Sequence, residues 1–103
     1  MTRAELLAWL EARRPVPPDA LRARLQAAVS DAEAPLPDHL ARLGRDLLAA
    51  VAARAAGAAG DRDLALDLLA ADAFITYSFE AQTEADVAGV AGLAQRVGEG
   101  ALR

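Results

Sequence analysis

The sequence predicts an all-α fold, a small bundle of about five helices, and three observations carry that prediction. Alanine and leucine dominate the composition, while Lys, Asn and Cys are absent. Alanine and leucine lose the least side-chain entropy on entering a helix. Leucine and valine recur at three-and-four spacing along most of the chain, the period of a helix with a buried face. The prolines, at positions 15, 17, 18, 35 and 37, fall between those periodic stretches or at their starts. At 103 residues the chain fits a single domain, residues 1–103.

The first helix is expected from about Arg3 to Arg13, because Thr2 followed by Glu5 has the form of a capping box. Leu6, Leu7 and Leu10 make its apolar stripe, with Trp9 on the flank. Pro15, Pro17 and Pro18 end it, since proline lacks the backbone donor and restrains its predecessor. A second, short helix follows from Pro18 or Asp19 to about Ser30, with Leu21, Leu25, Ala28 and Val29 on one side. Asp31 to Pro37 reads as a loop. The third helix spans about 37–56, with proline near the first turn where its missing N–H does no harm. Leu40, Leu43, Leu47 and Val51 form its stripe, and Arg54 falls on that same stripe. Gly57 and Gly60 supply the stop.

The fourth helix is expected over about 61–82, antiparallel to the third, with Asp61 as N-cap. At 100° per residue, Leu64, Leu68, Ala71, Ile75 and Phe79 make its main apolar face. Leu66, Leu69, Ala73 and Tyr77 make a second, leaving Asp63, Asp67, Ala70 and Phe74 for the outer side. A helix apolar on two sides belongs at the centre of a bundle. The fifth helix starts after Thr83, where Thr83 and Asp86 have a capping pattern, and runs through Val87, Val90, Ala94 and Val97. Gly89 and Gly92 on it are expected to admit another backbone closely, and the tail from Gly98 is expected to fray.

Composition excludes some functions. A formal charge of −4 opposes general nucleic-acid binding, which relies on basic side chains displacing counterions. Residues 1–54 hold eight arginines against seven acids and residues 55–103 three against eight, so one half can pair with the other or with a second copy. Without cysteine there is no disulfide framework and no thiolate chemistry. No apolar run approaches the ~20 residues of a membrane-spanning helix, and the first turns carry charges where a secretory signal is apolar. A cytoplasmic protein is the resulting expectation, with no membrane association.

The candidate functional residues lie mainly on the fourth helix. Asp72 falls between Leu68 and Leu69 on the wheel, so it is expected to face packed surface and to need a partner. Thr76 and Glu80 extend it into a polar strip, with Tyr77 beside it. Read as a site, Asp72, Thr76, Tyr77 and Glu80 line a ligand pocket; read as structure, the strip is an interhelical ion pair. Counting from the 57–60 turn places Arg42 or Arg45 level with Asp72, and His39 level with Glu80. Phe74 and Trp9, as aromatics on helix flanks, and Gly89 and Gly92, as points of close approach, are the candidate interface. His39 is the only histidine and has no nucleophile or ligand cluster around it in sequence, so it reads as a packing residue. Arg13, Arg14, Arg22 and Arg24 bracket the proline linker and form the only candidate DNA-contacting surface. No catalytic residue, metal site or cofactor motif is identified. The leading expectation is a helical protein–protein interaction or assembly protein that self-associates. A small-molecule-binding protein or enzyme subunit using the strip is the second, and a weak DNA-contacting regulator the third.

Overall fold

A computed structural model describes residues 1–55 and 61–101 of the chain. The expected Gly57 and Gly60 stop lies outside the described residues. Among them are five α-helices and no strand: α1 (Arg3–Glu11), α2 (Asp19–Ala28), α3 (Leu36–Arg54), α4 (Arg62–Ala85) and α5 (Val90–Ala101), with a short 3-10 turn at Val87–Gly89 before α5. The all-α bundle expected from the sequence is therefore what forms. The two long helices, α3 and α4, make its closest pair.

Local chemistry fixes the helix ends. The Thr2 hydroxyl accepts from the Glu5 backbone N–H at 3.2 Å, and the Thr2 N–H donates to Glu5 Oε1 at 3.1 Å, completing the capping box. The Thr2 backbone N–H, and then its hydroxyl, hold the Glu5 carboxyl below its ordinary value. Asp61 accepts from the N–H groups of Asp63 and Leu64 at the head of α4. At its other end the expected break before Thr83 does not occur. The Thr83 hydroxyl donates back to the Phe79 carbonyl at 2.8 Å inside the helix, and Asp86 is the residue that caps the next turn, accepting from Ala88. The α5 helix continues through Gly98 to Ala101, and the last two residues of the tail expected to fray lie outside the described residues.

The N-terminal segment is tied to the end of α2. Met1 and Ala32 exchange two backbone hydrogen bonds, of 3.0 and 2.8 Å. Arg3 donates through its side chain to the Val29 and Gln26 carbonyls and through its backbone to Asp31. These bonds satisfy C-terminal carbonyls that α2 cannot satisfy itself.

The buried side of α4 is turned by about a quarter turn from the expected main apolar face, onto the side expected outside. Its buried residues are Asp67, Ala70, Ala71, Phe74, Ser78 and Ala81. Leu68 and Leu69, expected inside, are 49% and 53% exposed, and Asp72 faces solvent. Phe74 is completely buried, with Leu6, Leu40 and Leu93 the other fully enclosed large apolar side chains. The tightest contact of α4 with α3 is at Gly44. A Cβ built there would stand 2.6 Å from Ile75 Cγ1 and 3.0 Å from the Ala71 carbonyl oxygen. Helices this close accept only small side chains between them, so alanines rather than leucines occupy the contact face. Within the chain the closest backbone approach is at Gly44. Gly89 meets the Gln82 side chain, and Gly92 has only the tip of Arg96 near it.

His39, in the first turn of α3, has a buried Nε2 with no hydrogen-bond partner among the described residues. Burial pushes its pKa down from the ordinary 6.5, and the positive charges of Arg42 and of the chain's amino terminus add to the effect. The unfolded chain therefore takes up a proton at higher pH than the folded one. Stability is fully present above the ordinary imidazole value and falls as pH drops below about 6.5. Thermal melts between pH 7.5 and pH 5.5 should show Tm declining with acid, with a shallower decline in His39→Gln. Equal slopes for the two proteins would remove His39 as the cause.

Candidate functional site

The polar strip of α4 is brought together, but on the surface. Asp72, Thr76, Tyr77 and Glu80 all line an open groove of about 320 Å³ between α4 and the proline linker, with Pro15, Val16, Pro17 and Pro18 forming the opposite wall. The linker can make such a wall because prolines cannot continue α1, and Pro18 leaves the chain extended where α2 begins at Asp19. A second open groove, of about 450 Å³, shares Thr76 and Glu80 and continues past Phe79, Thr83 and Glu84. Both are shallow and open, unlike the enclosing clefts that bury most of a small molecule. The enclosed space nearby, between Leu10, Val16, Pro17, Leu25 and Tyr77, is about 20 Å³, room for one water.

Asp72 makes no ion pair among the described residues, so the expected bridge to Arg42 or Arg45 is absent. Arg45 donates instead to the Arg96 carbonyl at 3.1 Å, and Arg96 pairs with Asp38 at 3.0 Å, fastening α5 to α3. Nor does His39 reach Glu80. Glu80 meets Arg13, at 3.5 Å. These residues stand at matching levels along the hairpin, but the strip on α4 faces away from α3.

At the end of the groove the aromatic and charged residues of α1 and α4 interlock. The Arg13 guanidinium lies 3.8 Å from the Trp9 ring centre, and the Trp9 and Tyr77 rings meet edge to face at 6.2 Å. The Trp9 indole N–H donates to Glu84 at 3.1 Å, and Arg13 donates to the other Glu84 oxygen at 2.6 Å. Arg13, and then the indole, hold the Glu84 carboxyl below the usual range. Burial pushes the Tyr77 hydroxyl up, and the Glu80 charge adds to this. Cation–π and edge-to-face contacts are each worth about 0.5–1.5 kcal/mol. Trp9 thus spends its faces on its own chain, as the lock between α1 and α4. Phe74 has no exposed surface and packs within its own chain.

The arginines flanking the linker are also occupied. Arg13 is held as above, Arg14 donates to the Glu11 and Arg13 carbonyls, Arg22 pairs with Asp19, and Arg24 with Asp63 and Asp67. Phosphates would have to compete with carboxylates already in place. Among the described residues no group of His, Asp or Glu side chains is placed to hold a metal ion, and no helix is long and apolar enough to cross a membrane.

The polar centre that sequence reasoning missed is Asp67. It is 7% exposed and receives Arg54 of α3 at 2.6 Å and Arg24 of α2 at 3.2 Å. One signal for it was present in the sequence: Arg54 lies on the apolar stripe of its helix, and a guanidinium there requires a buried carboxylate. Comparisons with protein-family models, with curated proteins and with solved structures give no match, so the functional reading rests on this chain's own residues.

Proposed function

We propose that this chain is a non-enzymatic helical assembly protein that works by associating with a second copy of itself or with another protein. The observation that carries this reading is the outward placement of Leu68 and Leu69, each about half exposed on one helix. Scattered exposed leucines are ordinary on a protein surface. Two in succession, with the exposed Ala65 one turn away, make a row that association would cover. The composition supports it as well, because a core of alanine with few large side chains buries little area per residue, and association supplies more.

A second reading is favoured by one observation: the strip Asp72, Thr76, Tyr77 and Glu80 lines a single groove, walled by apolar linker residues. In that reading the chain binds a small molecule or serves as a subunit of an enzyme. Native mass spectrometry of the purified chain separates the two. A dimer or higher assembly at micromolar concentration is the expected result. A bare monomer throughout that range overturns self-association, and a monomer carrying an added non-covalent mass transfers the argument to the groove.

A further inference from the structure

The geometry points to a specific self-complementary contact: a second copy of this chain docks antiparallel on the outer face of α4, with Arg62 of each copy meeting Asp72 of the other. The inference rests on the self-association reading and deepens it by naming the surface and the register.

Arg62, Ala65, Leu68, Leu69 and Asp72 are all exposed on α4, and their spacing at steps of three and four places them on neighbouring lines of that helix. Among the described residues neither Arg62 nor Asp72 takes part in an ion pair, although seven such pairs involve other residues. The face thus presents one unpaired cation and one unpaired anion, with the apolar row between them. Ten residues of helix separate the two charges by about 15 Å.

A two-fold axis turns that arrangement into its own complement. In an antiparallel crossing centred on the level of residue 67, Arg62 of one copy lies level with Asp72 of the other, twice. Leu69 comes level with Ala65, so that a large side chain meets a small one and the helices can approach. Parallel pairing would instead put Arg62 against Arg62 and Asp72 against Asp72. Like charges so placed are destabilising, so charge selects the antiparallel orientation. The contact is isologous and closes as a dimer rather than propagating.

The test is sedimentation equilibrium of the whole chain, wild type and variants, with circular dichroism to confirm that each is folded. Arg62→Asp and Asp72→Arg each create two like-charge contacts, and each should weaken the dimer by tenfold or more, roughly. The double exchange Arg62→Asp/Asp72→Arg restores opposite charges and should recover most of the wild-type affinity. Leu69→Arg, at an exposed position, should abolish the dimer without recovery by either exchange. A dimer indifferent to the single exchanges and to Leu69→Arg overturns this surface while leaving self-association standing. A folded double variant that stays as weak as the single ones overturns the register. Wild-type protein that is monomeric throughout overturns both this contact and the reading it rests on.

Discussion

Phe74→Ala should lower the unfolding free energy by about 3–5 kcal/mol, the range for truncating a fully enclosed aromatic. Phe74 has no exposed surface, and it packs in the cluster that joins Leu6 of α1, Leu25 of α2 and Leu40 of α3. Removing its ring opens a cavity where three helices meet α4. A domain of this size holds only about 5–15 kcal/mol in total, so the variant stands near the edge of folding. Urea titration followed by circular dichroism would show a lower midpoint with an unchanged slope, or a chain largely unfolded in buffer. Phe74→Leu, which keeps most of the volume, should lose less than half as much. A loss below about 1 kcal/mol would mean that the core is organised around some other residue. For the same reason Phe74 cannot serve as a control in ligand or partner experiments.

The features of the fold that were legible in the sequence depend on local chemistry. Thr2 and Glu5 form their capping box irrespective of what α1 packs against, and Pro15 to Pro18 must interrupt a helix in any tertiary setting. Asp61 caps α4 as expected, for the same reason. Helix existence and order follow from such signals, and they were read correctly within a few residues.

What was not legible is the rotation of α4 about its axis. The helix has leucines on one side and alanines with a phenylalanine on the other, and a hydrophobicity wheel ranks the leucine side as core. The α3 crossing, at Gly44, does take Ala71 and the edge of Ile75 from that expected face, but the buried side also holds Asp67, Ala70 and Phe74, residues expected outside. A glycine in the middle of a long amphipathic helix was the available clue, since it costs about 1 kcal/mol in helix propensity and needs a packing reason. The consequences for the candidate site follow directly. Asp72, Thr76 and Glu80 keep their mutual spacing, so the strip exists, but it lines an open groove rather than the bundle interior. Phe74 and Asp67 exchange roles with Leu68 and Leu69.

That exchange gives the second large effect, at Asp67. Its carboxylate is nearly enclosed, and Arg54 and Arg24 approach it from two different helices at 2.6 and 3.2 Å. Asp67→Ala would leave Arg54 without its counter-charge and Arg24 with only the exposed Asp63, at 3.6 Å. Breaking a fully buried pair costs about 3–5 kcal/mol. Here the arginine side chains retain 52% and 36% exposure, so water takes over part of the role and a loss of about 1–3 kcal/mol is expected. Arg54→Ala alone should cost less than Asp67→Ala, because Arg24 remains to hold the carboxylate. Once Asp67 is alanine, removing Arg54 should cost little more, and can even recover stability by lifting an unpaired charge. Such non-additivity, measured by urea unfolding of the two single variants and the double, is the mark of one coupled centre. Strictly additive losses would instead show that Asp67 is buried for shape alone, and that the arginines of α2 and α3 contribute only as exposed surface charges.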